Sequence, residues 1–263
     1  MHGNAFDSHT RSLVYSIDAN WGIWKGLALR GTFSVLQIMA TEEDHTGDGD
    51  SRRHKERSIG IGDTPLLLQY LFQSRGQVPS PWSVGVGAGA YFPTGRGVAD
   101  DFPSNSTFVS STTDPLISLS AAYNLLPEFG LYCHGYSRII VAEGKGGFRA
   151  GSSFLYGGGI RVRYFGSLAL SIGVNVLHKL KDKQPEAHLA ETDTGSHQDE
   201  GTGGNFVYLE LGLNYLFTKG LLEGLSIQIA TQLPVYQFVY GVQLVENFNF
   251  IFSIGYGFSV YAG

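Results

Sequence analysis

The chain has 263 residues, with 36 Gly, 14 Tyr and 17 Phe against 2 Met and 1 Cys, and charged residues make up only 16%. A formal net charge of -5 provides no basic field for nucleic acid, and the lone Cys133 excludes an intramolecular disulfide and any multi-cysteine zinc site. There is no uninterrupted apolar run of about 18 residues, which argues against a transmembrane helix but leaves open a barrel, whose strands need only about 9–11 residues each.

In chain order, Met1–Thr10 reads as a loop or tail, with neither a basic leader nor an apolar core that would mark a secretory signal, and residues 11–263 read as one barrel domain. A first strand is expected over Ser12–Asn20, a short connection over Trp21–Gly26, and a long polar loop over Thr41–Arg57. Next comes "GVGAGAYFPTGR" at 85–96, which contains a literal G-x-G-x-x-A. A dinucleotide turn of that spelling needs a following helix, and Pro93 and Gly95 oppose one. On a strand instead, Trp82, Val84, Val86, Ala88, Ala90 and Phe92 form an apolar parity. Ser83, Gly85, Gly87, Gly89 and Tyr91 form the other. Gly85, Gly87 and Gly89 then leave a bare lane on an inward wall, with room for solute, for an inserted segment or for side chains from across the lumen.

The later chain repeats the pattern. Phe154, Tyr156, Ile160, Val162 and Tyr164 oppose Leu155, Gly157, Gly159, Arg161 and Arg163, and Leu168, Leu170, Ile172, Val174 and Val176 oppose Ala169, Ser171, Gly173, Asn175 and Lys179. Val207, Leu209, Leu211, Leu213 and Tyr215 oppose Tyr208, Glu210, Gly212 and Asn214, and Leu225, Ile227 and Ile229 oppose Ser226, Gln228, Ala230 and Gln232. Period-two alternation also describes a soluble sandwich or lipocalin-like barrel. Run lengths of about 10–13 residues exceed the soluble norm and suit tilted membrane crossings. Connections alternate in size as well. Short ones lie at Trp21–Gly26, Ser74–Pro81, Leu126–Gly130, Phe165–Ser167 and Thr218–Gly224, and long polar ones at Thr41–Arg57, Thr94–Asp114, Gly144–Gly151 and Lys181–Gly204. Trp21, Trp24, Trp82, Tyr123, Phe165 and Phe217 gather near the short turns, as in an interfacial aromatic belt. The fold expected is an all-β, antiparallel transmembrane barrel in a bacterial outer membrane, with outer-membrane lipid and lipopolysaccharide as its surroundings.

Several motifs carry a resemblance. Gly60-Ile-Gly-Asp63 precedes the strand "TPLLLQYLF" at 64–72 and a strand ending in "YFPTGR" at 91–96. "STTDPLISLSAAYNL", "GTGGNFVYLELGLNYLF" and "QLPVYQFVYGVQL" follow in order. In this order and spacing the chain resembles the bacterial outer-membrane transporter family associated with meta-pathway phenol degradation, from about residue 13 to the C-terminus. The resemblance implies a channel-like barrel. About 11 strands are recognisable, whereas bacterial single-chain barrels have an even number, about 12 here. The expected repair is a preceding strand and signal peptide upstream of Met1. The alternative is an extra strand or inward excursion within Val235–Leu244.

Charges at inward parity are Asp18, Arg30, Asp63, Arg138, Arg161, Arg163, Lys179 and Glu210. They are read either as a selectivity lining with opposed signs or as a salt-bridge network that stiffens the wall. Arg161 and Arg163 are the candidates for attracting an anionic or aromatic solute. His134 shares its face with Tyr132, Tyr136 and Arg138, without a sequence-local nucleophile and carboxylate of the kind a lipid hydrolase needs. His45, His54, His188 and His197 are scattered through polar loops and read as solvated rather than metal-binding. The function expected is passive, porin-like passage of small hydrophobic or aromatic molecules, not catalysis, with no metal or cofactor. A plugged structural or adhesive barrel and a lipid-modifying hydrolase are the alternatives.

Overall fold

A computed structural model describes residues 7–45, 51–74, 80–97, 112–143, 149–164, 166–183, 203–240 and 245–259. β1 (Asp7–Trp24) turns at Lys25 and Gly26 into β2 (Leu27–His45), and the chain returns as β3 (Ser51–Ile61) and β4 (Thr64–Gln73). β5 (Trp82–Phe92) and the short β6 (Arg96–Gly97) run back alongside. There follow β7 (Asp114–Asn124), β8 (Phe129–Arg138), β9 (Ser153–Tyr164), β10 (Leu168–Lys179), β11 (Gly204–Leu216), β12 (Leu225–Val239) and β13 (Val245–Ser259).

Each ring strand pairs antiparallel with its neighbours until the last meets the first. There β1 lies parallel to β13, from His9 opposite Val245 to Gly22 opposite Ser259, and the sheet closes as a ring of 11 strands. The odd count, which put closure in question at the level of sequence, is resolved by this pairing. Strands that alternate in direction around an odd ring must include one parallel pair. The seam is also fastened by side chains. Ser253 Oγ donates to Asp18 Oδ2 at 2.5 Å, and Ser12 Oγ donates to Asn249 Oδ1.

The exterior is apolar and the interior polar, the inverse of a soluble barrel. Outward residues are exposed, among them Val86 at 41%, Ile172 at 42%, Leu68 at 47%, Leu211 at 48%, Leu119 at 56% and Ile17 at 61%. Few apolar side chains are buried among the described residues, and the largest fully buried one is a carboxylate, Asp114. Such an outer face is stable against hydrocarbon rather than water. Trp21, Trp24, Trp82 and Tyr123 stand exposed near the short-turn end, and Phe217 packs edge-on against Tyr215 at 4.9 Å. Phe165 lies outside the described residues.

β3 and β6 are continuations of β4 and β5 beyond a double fault. Gly31 faces Leu66, so an unbroken ladder would set Val35 against Gly62, yet Val35 faces Ile61. Thr64 faces Phe92, so Ile61 would face Gly95, yet it faces Arg96. One extra residue at 62–63 and another at 93–95 form bulges side by side, and a bulge re-aims the side chains beyond it. The bulges are tied together at Thr94, whose Oγ1 donates to Thr64 Oγ1 at 2.7 Å and accepts the Thr64 N–H at 3.0 Å.

Three sequence expectations are corrected. β1 begins at Asp7, so residues 7–10 are strand rather than loop. Most of the loop expected over Thr41–Arg57 is the β2–β3 hairpin, whose register sets Glu43 opposite Arg53 and Asp44 opposite Arg52. Within Val235–Leu244 there is a bulge instead of an extra strand among the described residues. Tyr208 faces Pro234 while Val207 faces Tyr236, so β12 skips Val235 and runs on to Val239.

Of the inward glycines on β5, Gly89 is required by backbone approach. A Cβ on Gly89 would lie 1.9 Å from the Leu66 carbonyl oxygen and 2.8 Å from Leu67 Cα, whereas one on Gly257 would meet nothing within 4 Å. Gly89→Val should therefore lower the stability of the folded barrel by about 1–3 kcal/mol, while Gly257→Ala should leave it unchanged. Urea unfolding followed by tryptophan fluorescence checks both.

Candidate lumen site

The lumen face can be followed from the long-loop end toward the short turns. Nearest the long loops, Arg138 on β8 holds two carboxylates. Its Nε and Nη2 donate to Asp114 Oδ2 at 2.9 and 2.7 Å, and Nη2 donates to Asp63 Oδ2 at 2.7 Å. Thr112 Oγ1 donates to Asp114 Oδ1 at 2.7 Å. The Arg138 guanidinium also lies over the Tyr91 ring, 4.5 Å from its centre. The side chains of Asp63 and Asp114 are 1% and 0% exposed, and Arg138 bonds to both of these buried charges. The bulge explains how Asp63 arrives. Above it Ile59 points outward, and below it Leu66 and Leu68 do; without the inserted residue Asp63 would share the outward parity of Ile59.

Around the seam, Asp18 accepts from Thr32 Oγ1 at 2.6 Å and lies 3.6 Å from Arg30 Nη2, with Arg30 41% exposed at its side chain. Lys179 pairs with Asp182 at 3.1 Å, and Asp182 also accepts the Gly151 N–H at 2.6 Å, which fixes the ends of β9 and β10 at the long-loop rim. Glu210 is held by amides rather than by a cation, with Asn175 Nδ2 at 2.7 Å and Gln232 Nε2 at 2.8 Å. These contacts join β10, β11 and β12.

Tyr132, His134 and Tyr136 form a ladder of rings along β8. The first two are stacked at 6.2 Å with planes 7° apart, and the second two are 5.8 Å apart at 49°. Glycines flank this ladder, and one of them, Gly173, makes room for the Tyr132 hydroxyl. Tyr132 faces Gly159 and His134 faces Gly157 in the register, and a Cβ on Gly173 would lie 2.7 Å from the Tyr132 hydroxyl. Arg161 stands at the short-turn end of the ladder, 5.1 Å from the Tyr132 ring centre. Arg163 is two residues nearer the turn on the same strand face.

Between Arg138 and the ladder lies a cavity of about 350 Å³. Pro65, Leu67, Leu116, Leu155 and Leu177 supply apolar walls, Tyr91 and Tyr136 aromatic ones, and Arg30 and Arg138 the charge. The volume falls at the small end of ordinary ligand pockets. The Gly85, Gly87 and Gly89 lane is filled from its own neighbours rather than from across the lumen. Ser120 and Gln69 come to within 2.6 and 2.7 Å of a Cβ built on Gly85, and Ser118 to within 2.6 Å of one on Gly87.

The eight charges read as inward all lie opposite the exposed apolar face, and they divide into separate groups rather than one ring. Asp114, Asp182, Asn175 and Gln232 were missed as partners. Asp114 was within reach of the alternation, because Ile117 and Leu119 are 53% and 56% exposed while Asp114, Leu116 and Ser118 are buried. His188 and His197 lie outside the described residues, and no cluster of metal-ligating residues occurs among the described ones. No protein-family model matches the chain, and no curated protein matches it in sequence.

Removing Arg138 would leave two buried carboxylates without their cation. Arg138→Ala should destabilise the barrel by about 3–5 kcal/mol, and Arg138→Lys should restore little, since an ammonium cannot reproduce the forked donors. Asp114→Asn combined with Arg138→Ala should cost less than Arg138→Ala alone. Urea midpoints of the three variants measure this.

Proposed function

We propose that the protein is an outer-membrane channel that passes small hydrophobic or aromatic molecules down their gradients. The cavity of about 350 Å³ carries this reading, because it is a lumen space walled by leucines and tyrosines with arginines at its edge. Apolar walls accept a ring or short hydrocarbon body, and the arginines orient a polar substituent. At the cavity's edge Arg138 reaches past β7 and β5 to Asp63, while elsewhere in the lumen the polar contacts join neighbouring strands. Asp18 binds residues of β2 and β13, and Glu210 those of β10 and β12. These two sets stiffen the sheet along the wall.

An outer membrane is the location that fits an apolar exterior built from strands, with lipid and lipopolysaccharide against it. The paired bulges at Gly62-Asp63 and Pro93-Thr94-Gly95 are consistent with membership of the transporter family associated with meta-pathway phenol degradation, whose two glycine-rich motifs they would explain as one structural unit. On this reading His134 is a lining residue among stacked rings and has no catalytic role.

Planar bilayers containing the refolded protein should show discrete conductance steps. Leu155→Trp, whose indole would occupy the cavity, should shrink them while the protein remains folded. A folded wild type that never conducts would overturn the channel reading in favour of a plugged barrel.

A further inference from the structure

The geometry points to Arg161 and Arg163 as a docking position for the carboxylate of a small, single-ring aromatic acid. This inference rests on the channel reading and names the class of solute. Every other strand-borne lumen charge described above has its compensation. Arg138 has Asp63 and Asp114, Arg30 has Asp18, Lys179 has Asp182, and Glu210 has two amide donors. Among the described residues neither Arg161 nor Arg163 makes an ion pair, and they share one face of β9 two residues apart. Two guanidiniums at about 7 Å spacing along a strand repel each other. An anion placed between them would relieve that repulsion and accept paired N–H donors, the geometry for which guanidinium is suited.

The ring specificity comes from what leads to the pair. Tyr136 lines the cavity, His134 and Tyr132 continue the aromatic strip, and the strip ends where the Arg161 guanidinium lies 5.1 Å from the Tyr132 ring. An aromatic solute leaving the cavity can slide from ring to ring, with its carboxylate drawn toward the unpaired cations. Arg138 is committed to two buried carboxylates, whereas Arg161 and Arg163 make no ion pair among the described residues. A neutral ring would lack the charge-assisted N–H···O bonds that a carboxylate makes at the arginines.

Two measurements separate this proposal from the channel reading. In bilayers under a KCl gradient, the wild type should prefer anions, and benzoate should interrupt its current while benzamide at the same concentration does not. Arg161→Gln/Arg163→Gln should keep its conductance steps and lose both the anion preference and the benzoate effect. Variant channels that remain sensitive to benzoate, or wild-type channels indifferent to it, would overturn the proposal while leaving the channel intact. Calorimetric titration of benzoate into the detergent-folded protein reads the site without any conductance. Heat with the wild type that disappears in the double variant supports the docking position, and heat unchanged by the substitutions, or none with the wild type, refutes it.

Discussion

At the proposed membrane location every backbone N–H and C=O in the wall of this barrel needs a partner on both sides, because hydrocarbon offers an open strand edge no water to substitute. That requirement sets the architecture. Eleven strands alternating in direction leave the first and last pointing the same way, and the ring closes only if β1 and β13 accept the slanted, slightly weaker parallel ladder. The compensation is visible beside it. Asp18 gathers Thr32 from one side and Ser253 from the other, so a single carboxylate ties β13, β1 and β2 together where the ladder is least favourable.

The second constraint is directional. A strand places alternate side chains on opposite faces, so a charge required in the lumen must have the right parity or the strand must slip. The inserted residue at 62–63 provides the slip that turns Asp63 inward. Its neighbour at 93–95 keeps the adjoining strand in step, and Thr64 and Thr94 bind the two faults to each other. Asp63 then reaches Arg138 past β5 and β7. The path is open because β5 carries glycines there and Tyr91 offers a flat ring for the guanidinium. The Gly-x-Gly-Asp and Pro-Thr-Gly motifs are thus halves of one device, a local break in two ladders that sets a buried carboxylate on a distant cation.

Much of this was legible in the sequence because alternation is a one-dimensional signal. Ile17 against Asp18, Ile160 against Arg161 and Leu211 against Glu210 each reveal their faces from neighbours alone. Three kinds of feature escaped. The β2–β3 hairpin reads as a loop because its residues are polar on both faces, so it has no apolar parity to mark it as strand. The bulges are invisible because they change register, a relation between strands, and a parity rule carried through Gly62 or Val235 assigns the wrong faces beyond them. Partnerships such as Arg138 with Asp114 join residues 24 apart in sequence, and alternation fixes which way each points without saying which will meet.

Pairing also decides between the two meanings a lumen charge can have. A guanidinium already bonded to buried carboxylates is structural, since moving it toward a solute would leave those carboxylates uncompensated at a cost of several kcal/mol. That argument removes Arg138 as a mobile ligand, although it edges the cavity, and leaves it as a fixed source of field. Arg161 and Arg163 have no such obligation among the described residues, so their donors are available at little cost. Glycine separates roles in the same way. Gly85 and Gly87 admit the side chains of Gln69, Ser120 and Ser118 from the flanking strands, so the lane they make is room for packing. Gly157 and Gly159 instead permit the close approach of Asn175 and the β10 backbone, and Gly173 alone of the three admits an aromatic side chain, through the Tyr132 hydroxyl. The aromatic strip that this accommodates runs along β8 from the cavity to Arg161.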